Sequence, residues 1–432
     1  MPPKRPLSSL ISRRLRSFGY RTLIRRPFRA FAPSIDADLV RRSLNPERLA
    51  TYDLHLIQCA AADHSTGGGP LYAVSQAICR LADEALARGP HSVVEKTTLP
   101  VSGDPHDYWH PAPYYWPNPK TPTGIPYIKR DGQRAPGTGL YEKGSEQYDR
   151  SRLQRLFDDG TLLTLAWKIT GNPHYARHAA MELAHWFTEP ASRMNPHLRY
   201  AQIILTSKKG RWSSAGIIET KDFYYYLDAV RLLEAEGMLP PETGAQFREW
   251  LRSFRTWLLN SRHGRRECSK PNNHGLLYDF QLAAISAYLG DAELLTVIFR
   301  RVRSRLLQHV EPDGRQPYEL VRTIAAHYCA FNLQGWVNFA RLAQRCGFDL
   351  WEVESPDGRS LRQALEWLLA FNPSKDWPFQ QISPFDWARL TPLATAADLH
   401  YGTRHLQHAS PAPVCFHPHD GIPPAWQLTS NS

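Results

Sequence analysis

The chain has 432 residues, 42% of them hydrophobic and 22% charged, with a formal net charge of +11. Such a composition can bury a large globular core, and no uncharged apolar run reaches the ~20 residues needed to cross a bilayer. Residues 1–34 hold Lys4 and eight arginines with no acid before Asp36, so +9 of the +11 lies in the leader and the body is near +2. The high charge therefore gives no ground for nucleic-acid binding by the folded body.

We read a leader over residues 1–36, a body over 37–405 and a proline-rich tail over 406–432. The leader is Arg-rich, contains serines and lacks a secretory apolar core, which is compatible with mitochondrial targeting or a disordered tail and leaves localisation open. A moderately helical stretch over 38–63 precedes an amphipathic helix marked by Leu71, Val74, Ile78, Leu81 and Ala85 and ended near Gly89-Pro90. Residues 97–146 contain nine prolines and many aromatics without apolar periodicity, the pattern of a long ordered loop with a functional purpose. From there the periodicity predicts paired helices at 148–170 and 173–188, 219–237 and 241–260, 274–289 and 291–309, 319–346 and 359–371, with one more at 385–399. Serial antiparallel hairpins must each bury an apolar side on the next, so the expected fold is all-α, an incomplete α/α toroid. The tail reads as an extended strap or as disordered. Six cysteines without a CxxC pair form neither a disulfide framework nor a zinc motif.

Three clusters could do chemistry. The first, Ser102 to Asn118, places Tyr108, Trp109, Tyr114, Tyr115 and Trp116 in a proline-stiffened loop. Flat rings with polar edges suit stacking on sugars, and the competing reading is a set of aromatic staples. His106 and His110 in the same loop suit hydrogen bonding or acid–base work. Asn272-Asn273-His274-Gly275 is the second cluster, at a helix start, where one capping Asn would suffice. The third is Glu319-Leu320-Val321-Arg322 followed by His327-Tyr328, with Glu319 placed to orient Arg322 at i+3. Arg322 and Tyr328, six residues apart, sit about 120° apart on a regular helix. They share a cleft only if the helix starts late, bends, or Arg322 reaches around.

Amide, imidazole, guanidinium and phenol together fit β-elimination on an acidic polysaccharide. The C5 proton of a uronate is weakly acidic until donors neutralise the adjacent carboxylate, and a phenol or imidazole then removes it. The set requires no metal and no cofactor. The alternatives are a glycoside hydrolase on the same toroid, with Asp104, Asp107 and Glu319 as candidate carboxylates, or a non-catalytic carbohydrate-binding protein.

Over about residues 100–375 the chain resembles the alginate-lyase-type superfamily of polysaccharide lyases. The resemblance rests on Gly103 to Tyr108, Pro113 to Pro119, Pro126 to Gly132, Trp186-Phe187, Met194-Asn195-Pro196 with Tyr200-Ala201-Gln202, and the two motifs around His274 and Tyr328. It implies a toroid with an open cleft, with Asn273, His274, Arg322 and Tyr328 as the catalytic set. His106, Tyr108, Tyr114, Tyr115, Trp116, Asn195, Gln202 and His327 are then expected to bind substrate, His327 also being the substitute for Tyr328. The implied partner is a uronate polymer, alginate (polymannuronate) or glucuronan, with no nucleic acid and no membrane; the oligomeric state is open.

Overall fold

The computed structural model describes residues 35–206, 210–371 and 376–429. The leader read over 1–36 therefore falls almost wholly outside the described residues. Three helices open the body: α1 (Ala37–Ser43), α2 (Leu54–Thr66) and α3 (Tyr72–Leu86). After a long irregular segment come α4 (Arg150–Thr170) and α5 (Pro173–Phe187), then α6 (Phe223–Ala235), α7 (Pro241–Asn260) and α8 (Arg262–Cys268). The chain continues through α9 (Asn273–Tyr288), α10 (Ala292–His309), α11 (Pro317–Leu320), α12 (Ala325–Arg345), α13 (Leu361–Leu369) and α14 (Thr391–Tyr401).

Packing sorts these into two layers of an α/α toroid. Helices α2, α4, α6, α9, α12 and α14 follow one another around the inner ring, while α3, α5, α7, α10 and α13 lie outside them. Sequence decides the layer. Every residue of α9 except His274 is buried, and a helix without a polar face belongs in an interior. Its one buried acid, Asp279, is clasped by Arg301 and Arg305 from the amphipathic α10.

Four departures from the sequence reading bear on the site. The stretch 38–63 is two helices, because the Asp228 carboxylate of α6 accepts the backbone N–H groups of Ala50, Thr51 and Tyr52 and holds the link between them non-helical. Helix α8 was not expected; Ser261 caps it by accepting from the Gly264 N–H. The predicted helix 319–346 is broken between α11 and α12. Thr323 gives its hydroxyl and its N–H to Asp131, and the N–H groups of Ala325 and Ala326 go to Gln380 and Gln381 instead of to a preceding turn. The long loop, finally, is stitched by short strands. β1 (Trp109–Pro111) pairs parallel with β4 (Tyr200–Ile203), and β2 (Tyr115–Trp116) pairs antiparallel with β3 (Ile128–Lys129).

The tail runs under the inner ring. Tyr52 Oη donates to the Pro424 carbonyl, Tyr224 and Asn338 both donate to the Gly421 carbonyl, and Ala425 and Leu428 are buried in the core. Among the described residues all six cysteines are free thiols, and no helix is long and apolar enough to cross a membrane.

Candidate active site

A cleft of about 640 Å3 opens at one end of the toroid, lined by residues from α9, α12, the segment before α12 and the stitched loop. Nine lysines and arginines line it against two carboxylates, Asp131 and Glu219. Both acids are already engaged by protein donors, so the wall presents net positive charge to whatever enters.

At the start of α9, Asn273 is fully buried. Its backbone N–H and its Nδ2 each donate to a different oxygen of Glu319, both at 2.7 Å. Glu319 is thus the support of Asn273, not of Arg322 as the i+3 spacing suggested. The break after α11 turns Arg322 away from the face that Glu319 occupies. Burial raises the pKa of Glu319, while the two Asn273 donors pull it down. His274, the one residue of α9 not buried, gives Nδ1 to the carboxylate of Glu267 on α8 at 2.5 Å. With Nδ1 engaged by Glu267, Nε2 is the ring nitrogen left for the cleft that His274 lines. Gly275 completes the motif for a steric reason. A Cβ there would lie 2.1 Å from the Lys270 carbonyl oxygen and 2.2 Å from Arg305 Nη1. Arg305 needs that space to donate to the carbonyls of Lys270 and Cys268, which ties α8 to α9.

Across the cleft, the late start of α12 brings Arg322 and Tyr328 together. Arg322 Nη2 donates to Tyr328 Oη at 2.8 Å, and its guanidinium carbon lies 3.7 Å from the phenol ring centroid. Asp131 clamps the same guanidinium through Nε and Nη2 at 3.0 and 2.7 Å. Nη1 keeps no protein partner among the described residues. Burial opposes ionisation of Asp131, yet Arg322 and the Thr323 N–H outweigh it and hold the carboxyl at about 2. Tyr114 Oη completes the group, 2.8 Å from Tyr328 Oη. One hairpin delivers both loop partners, since Tyr114 precedes β2 and Asp131 follows β3. Burial, then the Tyr114 phenol, push the pKa of Tyr328 well up, and Arg322 works in the opposite direction.

The floor carries a second imidazole–carboxylate pair. His110 Nδ1 meets Glu219 at 2.7 Å, and Glu219 also accepts from Tyr108 Oη at 2.6 Å and Gln202 Nε2 at 3.0 Å. Burial again opposes ionisation, but His110, Arg150 and these hydrogen bonds hold Glu219 at about 2.

Of the expected substrate binders, Tyr114, Tyr115, Gln202 and His327 line the cleft. His106, Tyr108, Trp116 and Asn195 do not. His106 is half-buried and bonded to the Arg193 carbonyl. Tyr108 is fully buried behind Glu219. Asn195 ties Asp104 to Asp107 within the loop. Trp116 donates Nε1 to the Gln133 carbonyl beneath Arg130, the staple arrangement. His327 faces Arg389, and burial, then that cation, push its imidazole down to about 3. It is neutral at working pH and a weak base, which counts against it as the substitute for Tyr328. Sequence reasoning missed Glu267, Glu219 and Asp131 and passed over His110. Asp131 stood inside a quoted motif, whereas Glu267 gave no signal because α8 was unseen. The two candidate hydrolase acids Asp104 and Asp107 both bond Asn195, and neither lines the cleft.

The alginate lyase family matches residues 92–377 of the chain. Among solved structures, an alginate lyase from Bacteroides ovatus is 32% identical with a TM-score of 0.77, covering 87% of this chain and 98% of its own. Alginate lyase A1-III from Sphingomonas species A1 is 15% identical with a TM-score of 0.51, over 88% of this chain and 95% of that one. A tyrosine-to-phenylalanine variant of A1-III, complexed with tetrasaccharide, gives 16% and 0.51 over 87% and 94%. At those identities the two A1-III structures speak for the fold alone. No match was found among the curated proteins. The long family match and the Bacteroides likeness agree with the toroid and its cationic cleft: the chain belongs to the alginate lyase family and is a polysaccharide lyase.

Proposed function

We propose that the protein cleaves a uronate polymer, alginate in its mannuronate blocks or glucuronan, by β-elimination with Tyr328 as the proton carrier. In these sugars the C5 proton and the C4 oxygen lie on one face of the ring, so one residue can serve both steps. Tyr328 takes the C5 proton as phenolate, the C4–O bond breaks as the C4–C5 double bond forms, and Tyr328 returns the proton to the leaving oxygen. Asn273, Arg322 Nη1 and His274, which in this reading is doubly protonated and donates from Nε2, neutralise the uronate carboxylate while charge develops on it. The observation that carries this reading is the Arg322 guanidinium donating to Tyr328 Oη and lying over its ring, because a cation so placed stabilises the phenolate.

A second reading starts with Tyr328 as phenol: His274 Nε2 takes the C5 proton from the opposite face, the C4–O bond breaks as the C4–C5 double bond forms, and Tyr328 Oη gives its proton to the leaving oxygen. The raised pKa of Tyr328 favours it, and so does the Nδ1 bond to Glu267 that leaves an Nε2 lone pair toward the cleft. That geometry suits guluronate, the C5 epimer. A panel of polymannuronate, polyguluronate, mixed alginate and glucuronan, followed at the ultraviolet band of the unsaturated product, separates the two. Turnover of polymannuronate or glucuronan alone supports the first reading, and turnover of polyguluronate alone supports the second. Cleavage without ultraviolet product contradicts both.

A further inference from the structure

Helix α8 has an inner and an outer face. Gly264, Glu267 and Cys268 point inward and are buried; a Cβ on Gly264 would lie 1.7 Å from the Leu258 carbonyl oxygen, so the helix sits hard against the end of α7. Arg262, Arg265 and Arg266 point outward at i, i+3 and i+4 and are all exposed. Arg262 and Arg266 pack on Trp212, their guanidinium carbons 4.6 and 5.6 Å from a centroid of its ring. These two arginines and Lys270 line the edge of the cleft, and the same three border a shallow depression with Arg265 and Ser269. Cleft and depression therefore form one continuous surface.

The electrostatics of this face are unfavourable for the helix itself. Three like charges crowd neighbouring turns, and Arg262 stands at the first position of α8, where the helix dipole disfavours a cation. Among the described residues none of Arg211, Arg262, Arg265, Arg266 or Lys270 has a carboxylate partner. Arg265 Nη1 donates to the Asn260 carbonyl, but among the described residues no carboxylate offsets the repulsion among these cations, which points to an anionic ligand that does. Two of the guanidinium groups lie over Trp212, and a guanidinium on an aromatic ring can still take a carboxylate in the bidentate manner.

We propose that the outer face of α8 is a polyanion track that continues the cleft and binds further uronate units of the polymer being cleaved. The inference rests on the lyase reading above and deepens it: the enzyme acts on a long chain whose binding extends beyond the reacting units. Arg265 borders the depression but not the cleft, so binding of a polymer should depend on it more than binding of a tetrasaccharide.

The test compares KM for polymannuronate (or the polymer found active in the panel) with KM for its tetrasaccharide, in the wild-type enzyme and in Arg265→Glu. Reversing one exposed charge contact should raise the polymer KM about three- to fivefold and leave the tetrasaccharide KM and both kcat values alone. The polymer KM should also lose part of its dependence on salt, because a screened contact has been removed. Arg265→Gln, with its thermal midpoint measured, guards against a folding defect and should give a smaller shift of the same sign. Equal changes for polymer and tetrasaccharide, or no change for either, overturn the track. Wild-type enzyme that yields unsaturated product from no uronate polymer overturns the lyase reading instead. Single-stranded DNA that competes with polymer on wild type but not on Arg265→Glu, at lower charge concentration than the polymer itself, would reassign the face to nucleic acid and overturn the proposal.

Discussion

The two walls of the cleft follow different rules. One is helical: Asn273 and His274 open α9, and Arg322 and Tyr328 flank the start of α12. The other is the stitched loop, in which eleven residues from Tyr108 to Asn118 carry five large aromatics that look alike as a sequence. On the helical wall a residue's position at a helix start nearly fixes its direction. On the loop wall direction comes from pairings. Tyr115 and Trp116 are neighbours in β2, and successive strand residues face opposite sides. They cannot both line one cleft: Tyr115 lines it, and Trp116 is pinned by Arg130 and Gln133. A motif on a helix start thus shows which of its side chains reach the cleft, whereas in the loop the strand pairing decides it.

Substitutions can break or sharpen this contrast. The largest effect, short of removing a reacting group, is expected from Glu267→Gln. The change is nearly isosteric and removes the charge that sets the His274 tautomer. It should lower kcat roughly 100-fold with little change in KM, and steady-state kinetics on the active polymer check it. A kcat within twofold of wild type would reduce Glu267 to a packing role.

Asp131→Asn should follow, with roughly tenfold lower kcat, because the clamp on Arg322 loses its charge. This variant also has a pH signature. The folded carboxyl sits at about 2, below its ordinary value of 3.8. Its contribution to stability is therefore present above about pH 4 and lost as pH falls toward 2. Acid unfolding of Asp131→Asn should show a shallower loss over that window than wild type, by circular dichroism at stepped pH.

Smaller changes separate the paired aromatics. Tyr115→Ala should raise KM a few-fold at unchanged thermal midpoint, whereas Trp116→Ala should lower the midpoint with KM nearly unchanged. The reverse outcome would mean that strand alternation does not govern this wall. The least effect on turnover is expected from His327→Gln, whose activity profile between about pH 5 and 9 should keep its shape. The folded imidazole titrates at about 3 against an ordinary 6.5. The unfolded chain takes up a proton across that window that the folded one refuses, so stability falls as pH drops from about 6.5 to 3. His327→Gln should flatten that slope in thermal unfolding.

Much of this architecture was legible beforehand because long inner helices announce themselves by apolar periodicity. The late start of α12 was not, since Val321 to Ile324 carry no helix breaker; the interruption comes from Asp131, nearly two hundred residues earlier in the chain. Glu319 shows the same limit. An i+3 spacing offered Arg322 as its partner, and tertiary packing gave it Asn273 instead. Asn273 and His274, which line the cleft, stood out in the sequence because two asparagines exceed what a cap needs. Glu267, His274's partner, was not, because a seven-residue helix with three exposed arginines has no apolar stripe to betray it.

The account's central claim is that Tyr328 carries the proton in elimination, and Tyr328→Phe tests it most directly. The ring and its contact with Arg322 are kept while the hydroxyl is lost. Single-turnover formation of unsaturated product should fall by about 1,000-fold or more, with equilibrium binding of the tetrasaccharide within about twofold of wild type and an unchanged thermal midpoint. A variant that binds normally and still eliminates at a rate near wild type would contradict the account and move both proton transfers to the His274 side of the cleft.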